Sequence, residues 1–390
     1  MNYKKHIGLV LPAMPGYSET FIFSKIKGLI DNKYKVLLFI GRPYDQNRKI
    51  KGVSIYPQIN VKNKIDVMIR LVYILIKHPI ISIKFLLLEK KSQVKISKAI
   101  KNLIINSHII GKSLDWLHFC YATMGIGREN LAKSMKIKSA VSLRGYDIGI
   151  YPIKHLHCYK LLWKNIDRVH FISDDLYKKA VELGLDKSLG AKKITPAIDP
   201  KYFSGFQRRN IKKPLRILSV GRLHWKKGYK YALKAMRLLK KNKIDFEYHI
   251  VGDGSYMESI VFCCYKMGLN EKVIFKGKLL PEEVRSEMEW ADIYLQPSIQ
   301  EGFCNSVLEA QAMGLLCIVT NADGLSENVL DGVTGWVLPR RSSLSIARKI
   351  MDLLEINDND LNLISKNAIN RAKTDFTLDE QVQKFVKFYN

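Results

Sequence analysis

The sequence lacks the spacings that organise cysteine chemistry. Its six cysteines (Cys120, Cys158, Cys263, Cys264, Cys304 and Cys317) include no C-x-x-C pair and no Cys/His set at metal-ligand spacing. That excludes a zinc module and a disulfide framework, and reads as reduced, mostly buried thiols of a cytoplasmic protein. An unbroken apolar run of membrane-spanning length is also missing. The most apolar stretch, 71–88, contains Lys77, His78, Pro79 and Lys84, so it is not read as a transmembrane helix. Lys4-Lys5 and the apolar residues 6–11 faintly resemble a signal peptide, but the stretch is short, meets Pro12, lacks a small-residue cleavage site and runs into a helix start at Ser18. It is better read as a first β-strand. There is no short-period repeat and no low-complexity tail. Acidic residues are scarce, 36 Asp/Glu against 64 Lys/Arg, for a net charge of +28.

What is present is a globular composition, 47% hydrophobic and 26% charged, over a length of 390 residues that fits two domains. Residues 1–200 carry 35 Lys/Arg against 14 Asp/Glu, a net of +21, and the remainder carries only +7. This asymmetry has two readings: an anionic partner for the N-terminal half (phosphate, membrane surface or nucleic acid), or a lysine-rich compositional habit.

Apolar runs at 215–221, 247–252, 273–277, 293–298 and 317–321 alternate with helical patterns at 228–243, 255–267, 281–291 and 305–313. This alternation predicts a parallel sheet with crossover helices. Gly221, Gly252 and Gly277 close three of these strands, where such a sheet presents ligand-facing loops. The N-terminal half repeats the theme less regularly, with strands predicted at 6–11, 35–40, 115–119, 139–143 and 169–172. A basic helical insert covers 62–112. The linker is placed near 196–214, with three prolines and the run Gln207-Arg208-Arg209. A closing helix over 377–389 gathers Leu378, Val382, Phe385, Val386 and Tyr389 on one face. The expected division is an N-terminal domain over 1–200, to which the terminal helix 374–390 returns, and a C-terminal domain over 201–373.

Two stretches carry chemistry. In Glu301-Gly302-Phe303-Cys304-Asn305-Ser306-Val307-Leu308-Glu309-Ala310, a loop carries Glu301 and Gly302 and a helix begins near Asn305. Amides at a helix start, with the positive dipole end, favour a phosphate or sugar oxygens, and a glycine lets backbone approach a ligand. The plain alternative is ordinary strand-loop-helix geometry with Glu309 solvated. In Val220-Gly221-Arg222-Leu223-His224-Trp225-Lys226-Lys227-Gly228, Arg222 and Lys227 flank a loop leading into a helix, so two cations can meet one diphosphate. The plain alternative there is a solvated basic turn.

Together these residues resemble the donor domain of the retaining family 4 glycosyltransferases, which have the GT-B fold. The similarity rests on Glu301-x7-Glu309 with Gly302-Phe303, on Gly221-Arg222-Leu223 with Lys227-Gly228, on Gly252-Asp253-Gly254 and on Ala310-Gln311-Ala312-Met313-Gly314. Pro196-Ala197-Ile198-Asp199 followed by Phe203 is similar to the family's interdomain Asn-Gly-Val-Asp segment, with Ala197 where glycine is usual. The resemblance implies an α/β chain of two Rossmann-like domains with parallel sheets facing across a cleft. It implies a retaining transfer of a sugar from a nucleoside-diphosphate sugar to an acceptor hydroxyl, with no metal or other cofactor. Arg222, Lys227 and Glu301 are then the expected catalytic residues: the cations neutralise the donor diphosphate and the leaving-group charge, and Glu301 orients the sugar hydroxyls. Glu309 is expected to accept from the ribose, Leu279 to meet the base, and Gly16, Gly252, Gly302, Phe303, Cys304, Asn305 and Ser306 to complete the donor set.

In the N-terminal half Pro15-Gly16-Tyr17-Ser18-Glu19-Thr20-Phe21, His118-Phe119 and Gly145-Tyr146-Asp147 resemble a branch that makes exopolysaccharide and lipopolysaccharide. Arg144 stands where many members have a histidine; arginine is no base at neutral pH but binds phosphate or acceptor. His118, Arg144 and Asp147 are therefore expected on the acceptor or phosphate side. The resemblance implies a lipid-linked saccharide as acceptor, while the cysteine usage and the basic, partly apolar insert are read as a cytoplasmic protein, peripheral on the inner face of the cytoplasmic membrane. Ile65, Met68, Ile69, Val72 and Ile76 recur at helical spacing beside Lys62, Lys64, Arg70 and Lys77. Such a helix can lie on an anionic bilayer, each near-surface cation contributing about 1 kcal/mol, or its apolar residues can pack on the N-terminal sheet.

Rival chemistries fit less well. A hydrolase pairing Glu301 with Glu309 on one helix would separate them by about 12 Å along the axis, against the about 5–9.5 Å of paired glycosidase carboxyls. Asp358-Asn359-Asp360 has a metal-binding D-x-D pattern, but Asp and Asn are also preferred caps before a late helix. Nucleic acid is not an expected partner, since no zinc finger, basic zipper or RNP-like motif accompanies the charge, leaving only salt-sensitive polyanion binding without catalysis. A GT-B fold also serves nucleotide-sugar epimerases and phosphorylases, so fold alone does not fix the reaction.

Overall fold

Near-continuous runs of Val, Ile, Leu and Phe make strands that are apolar on both faces, and such strands need helices on both sides of a parallel sheet. The computed structural model has this architecture twice. It describes the chain except for residues 1–2, 17–18, 45–48, 62, 205–210 and 212 and the side chain of Lys64. Tyr17 and the helix start expected at Ser18, Lys62 of the insert and the Gln207-Arg208-Arg209 run therefore lie outside the described residues. One compact unit comprises Met1–Ile194 with Gln381–Asn390, the other Thr195–Glu380.

The first unit holds β1 (His6–Leu11), β2 (Lys35–Ile40), β3 (Val53–Pro57), β4 (Trp116–Phe119), β5 (Lys138–Leu143), β6 (Arg168–Phe171) and β7 (Gly190–Lys193), in the order β3-β2-β1-β4-β5-β6-β7. The second holds β8 (Leu215–Val220), β9 (Phe246–Val251), β10 (Val273–Gly277), β11 (Ile293–Gln296), β12 (Leu316–Thr320) and β13 (Trp336–Leu338), in the order β10-β9-β8-β11-β12-β13. All the pairings are parallel. In each sheet the chain starts near the middle, winds to one edge and then crosses to the other side, between β1 and β4 or β8 and β11. These are the switch points where doubly wound sheets place ligands. Each unit is thus the Rossmann-like α/β layer the sequence predicts.

Three strands were absent from that expectation: β3, β7 and β13, each at a sheet edge. β7 reads Gly-Ala-Lys-Lys and is half exposed; lysines on an edge blunt pairing with other chains and remove the hydrophobic signal. The division also falls at 194/195 and 380/381 rather than 200/201 and 373/374. Ile194 N donates to Phe171 O, ending the first unit's sheet. Ile198 then bridges to Thr377 and donates to Phe376 O, so both segments belong to the second unit.

The helix Leu378–Tyr389 ends inside the first unit. Its Phe385, Phe388 and Tyr389 join the core formed by Ile7, Leu9, Val36 and Leu38. Tyr389 is 0% exposed; its carbonyl accepts from Lys5 Nζ at 2.7 Å and Trp116 Nε1 at 2.9 Å, and its hydroxyl lies 2.6 Å from His118 Nδ1. The same helix runs so close to Thr20–Asp31 that a Cβ on Gly28 would lie 2.2 Å from Val382 Cγ2. The insert consists of helices Lys64–Lys77, Pro79–Lys91 and Ile96–Ile105. Among the described residues no single helix is long and apolar enough to cross a membrane.

Tyr389→Ala is expected to destabilise the first unit by about 3–5 kcal/mol through the cavity it leaves. Tyr389→Phe, which removes only the hydroxyl, should cost about 1–2 kcal/mol. Urea denaturation of both variants checks this; equal losses would mean the ring does not carry the anchoring.

Candidate functional site

Strand C-termini converge at one edge of the second sheet, and the loops that leave β8 and β11 touch there. Gly228, in the left-handed region at φ +72°, follows the turn Trp225–Lys227; a Cβ on it would lie 1.9 Å from Pro297 O. Ile299 N donates to Lys226 O at 2.6 Å. The neighbouring strand end is as tight: a Cβ on Gly252 would sit 2.1 Å from Gly221 O. These positions demand glycine because another backbone occupies the space a side chain would need.

The contact sets Lys227 Nζ 2.6 Å from Glu301 Oε2, with both side chains 12% exposed, and 4.0 Å from Cys304 Sγ. Burial opposes the charge on Lys227, but Cys304 and Glu301 together outweigh it and raise its pKa. Burial raises the Cys304 pKa too; at neutral pH it is a thiol, so the partner that holds the lysine charged is Glu301. Arg222 is exposed on the same loop.

The helix Asn305–Ala312 begins beside this pair, and Cys304 at its N-cap position makes no side-chain cap. Asn328 fixes the entry instead: Cys304 N donates to Asn328 Oδ1 at 3.1 Å, and Asn328 Nδ2 donates to Cys304 O at 2.9 Å. The Tyr294 hydroxyl donates to Ser306 Oγ at 2.7 Å, and Ser306 Oγ donates to Val220 O at 3.1 Å. Gly302 and Phe303 are buried, and the Phe303 ring packs on Phe376 with centroids 5.8 Å apart. Among the described residues Asn305 and Glu309 make no side-chain hydrogen bond or ion pair. Glu309 is half-buried, and burial pushes its carboxyl up to about 7. Leu279 packs, partly buried, against the core cluster that includes Val284 and Met288. Asp358 and Asp360 open the helix Asp358–Asp375, where Asn357 caps by accepting from Asp360 N at 3.0 Å.

The remaining expected residues lie in the first unit, in a cluster of their own. Gly16 N donates to Glu19 Oε2 at 2.7 Å, and Tyr121 OH donates to Glu19 Oε1 at 2.5 Å. The Arg144 guanidinium stands 3.8 Å over the Phe21 ring centroid, and its Nε donates to Cys120 O at 3.3 Å. Asp147 is buried and accepts from the amides of Ala122 at 2.8 Å and Arg144 at 2.9 Å. Burial pushes its carboxyl up to about 6. It braces the backbone at the strand ends instead of facing outward.

His118 is corrected more sharply. Expected on the acceptor or phosphate side, it is 0% exposed, with Nδ1 against Tyr389 OH and Lys25 Nζ (3.3 Å) and Nε2 2.7 Å from Ser142 Oγ. The chain continues from Ser142 Oγ to His170 Nδ1 at 2.7 Å and from His170 Nε2 to Ile194 O at 2.9 Å. Both ring nitrogens are used inside the protein, and burial holds its pKa well below the usual histidine value. Sequence reasoning missed Lys25, which shares the buried face of Thr20–Asp31 with Ile22, Ile26 and Leu29. A lysine at that spacing is the signal that could have found it. It missed Asn328 as well, and a lone asparagine gives no signal.

Residues 204–371 match the family described as glycosyl transferases group 1. The chain is 28% identical to the amylovoran biosynthesis glycosyltransferase AmsK of Erwinia amylovora over 277 residues, 68% of this chain and 66% of that protein. It is 28% identical over 173 residues, 44% of each chain, to a UDP-Gal:alpha-D-GlcNAc-diphosphoundecaprenol alpha-1,3-galactosyltransferase of Escherichia coli. The matches thus span less than two thirds of either relative. Among solved structures, Anabaena HepE in complex with UDP and glucose aligns over 98% of this chain and 99% of its own, with 14% identity and a TM-score of 0.73. At that identity the likeness concerns the fold, two parallel-sheet Rossmann-like units of the GT-B class.

Burial lowers the Lys25 pKa from 10.5 to about 7. Between those values the unfolded chain holds a proton that the folded chain has released, so stability rises with pH, approaching about 1.4 kcal/mol per pH unit. Below pH 7 the cost of the buried charge is fully present. Lys25→Met is expected to be more stable than the wild type at pH 7 and to lose that advantage by pH 10. Urea denaturation across this range checks it; parallel curves for the two proteins would refute the shift.

Proposed function

From a chain that carries a glycosyl transferases group 1 domain over residues 204–371 and has the GT-B fold, we infer a retaining glycosyltransferase. It moves a sugar from a nucleoside diphosphate to an acceptor hydroxyl without a metal. The observation that carries this reading is the Lys227–Glu301 pair at 2.6 Å, assembled from two strand ends at the mouth of an uncapped helix. The pair raises the Lys227 pKa, so a cation stands charged and positioned there before any ligand arrives. A diphosphate laid on the amides near Asn305 and Ser306 would draw on Lys227 and Arg222, and the sugar hydroxyls would donate to Glu301.

In the transfer, the bond from the anomeric carbon to the β-phosphate oxygen breaks, and the acceptor oxygen bonds to that carbon on the same face. The acceptor proton passes to the departing phosphate, whose growing charge Lys227 and Arg222 stabilise. Glu309, whose carboxyl has no partner among the described residues, suits the two ribose hydroxyls. The acceptor we infer is a lipid-linked saccharide in surface or exopolysaccharide synthesis; the names of the relatives, one of amylovoran biosynthesis and one acting on a diphosphoundecaprenol sugar, support this direction.

Screening UDP-, GDP- and ADP-sugars for thermal stabilisation and transfer tests the reading; a donor at 100 times its dissociation constant should add about 2.7 kcal/mol. Lys227→Ala and Arg222→Ala each remove a charge-assisted contact of about 1.5–3 kcal/mol, so turnover should fall about tenfold or more with the fold intact. Wild-type turnover in both would overturn the donor assignment.

Ribose hydroxyls donate to the ionised form of Glu309 and so lower its pKa from about 7. Binding should therefore release a proton, and affinity for the nucleoside diphosphate should rise between pH 6 and pH 8. In Glu309→Gln that part of the pH dependence should vanish. Calorimetry of both proteins, in buffers of different ionisation enthalpy, reads proton release directly; identical pH profiles would remove Glu309 from the ribose site.

A further inference from the structure

The insert of the first unit exposes a stripe that no part of the described fold covers. On Lys64–Lys77, Ile65, Met68, Ile69, Val72 and Ile76 recur every three or four residues and are 50–76% exposed. On Pro79–Lys91, Ile80, Ile83 and Leu87 continue at the same spacing, 54–80% exposed. Ile74, Ser82, Phe85 and Glu89 are the buried residues of this pair, so its other face is the one held by the protein. Monomeric soluble proteins seldom leave so contiguous an apolar surface bare.

The charge beside the stripe is of one sign. The Glu89 carboxylate is turned inward, accepting from Asn102 Nδ2 at 2.9 Å and Asn130 Nδ2 at 2.8 Å, and Asp66 is paired with Arg70 at 2.7 Å. Lys77, Lys90 and Lys91 are exposed and Lys84 is half-buried, with Lys95, Lys98 and Lys101 exposed on the segment that follows. A second copy of the chain is a poor occupant, because a two-fold contact would set the same lysines against each other. The two helices are bent by 115° at the break between them, so together they make no straight apolar rod of spanning length.

We propose that the hairpin Lys64–Lys77/Pro79–Lys91 is an interfacial anchor for an anionic phospholipid bilayer. Its apolar stripe enters the boundary between headgroups and acyl chains, and the flanking lysines meet lipid phosphates. The anchor goes beyond the donor reading and does not depend on it.

The test is co-sedimentation of the full chain with vesicles of phosphatidylcholine alone and of phosphatidylcholine mixed with phosphatidylglycerol, at low and high salt. Wild type should bind the mixed vesicles at low salt and more weakly at high salt. The triple variant Ile76→Gln, Ile80→Gln, Leu87→Gln, at positions too exposed to support the fold, should lose binding about tenfold or more. The triple variant Lys77→Gln, Lys90→Gln, Lys91→Gln should lose the preference for anionic vesicles. Negligible wild-type binding to both vesicle types, or unchanged binding in the apolar triple variant, overturns the anchor. A wild-type dimer that the apolar triple variant dissolves, without vesicle binding, overturns it in favour of a contact between copies. Calorimetry with UDP, GDP and ADP on the same samples separates the two proposals: no binding of any of them by wild type sinks the donor reading and leaves the anchor standing.

Discussion

In a parallel sheet every strand delivers its C-terminus to the same edge, so loops distant in sequence must share one surface. Here β8 and β11 are hydrogen-bonded neighbours, which forces the loop carrying Lys227 against the loop carrying Glu301. The meeting is made close by Gly228, whose missing side chain leaves room for Pro297 O. The ion pair, the uncapped helix start and the placing of Arg222 all follow from that adjacency. Changing Gly228 would strain a left-handed position and push the two loops apart, so the electrostatics of the site depend on a backbone contact.

The two candidate site carboxylates of the second unit, Glu301 and Glu309, stand in different surroundings. Glu301 lies 2.6 Å from Lys227; Glu309 has no such partner among the described residues, and burial pushes it up to about 7. A paired-carboxylate hydrolase needs both groups at one reacting bond, one as acid and one as base or nucleophile. Glu301 is already committed to Lys227, which suits orienting a ligand beside a bound anion better than protonating a leaving group. Glu309 sits on the helix beyond, where hydrogen-bond donors from a ligand would restore the ionised form that burial disfavours.

Inner strands were legible in the sequence because they are apolar on both faces. β3, β7 and β13 were not, because an edge strand needs only one neighbour and β7 spends its few positions on glycine, alanine and lysine. The donor loops could be read from local signals, a glycine beside an acid just before a helix and a basic turn after a strand. The interior relay through Lys25, His118, Ser142 and His170 could not. It depends on register across strands, Ser142 lying opposite His170 between β5 and β6, and no local spacing encodes that. His118 resembled a site residue for the reason that misleads generally: a histidine near a strand end looks alike in sequence whether its ring faces solvent or core.

Arg144 shows how the first unit handles charge. Burial lowers its pKa, with Tyr121, Cys120, Asp147 and Glu19 pulling the other way, and its guanidinium lies over the Phe21 ring. A guanidinium gives up its proton only far above neutral pH, so it can attract an anion or donate to an acceptor but cannot take a proton from one. The neighbouring carboxyls are occupied: Glu19 by Gly16 N and Tyr121, Asp147 by two backbone amides. His118 is enclosed. Among the described residues of this cluster, then, no exposed group is free to act as a base. The transfer inferred for this chain, in which the departing phosphate takes the acceptor proton, asks for no base from this cluster.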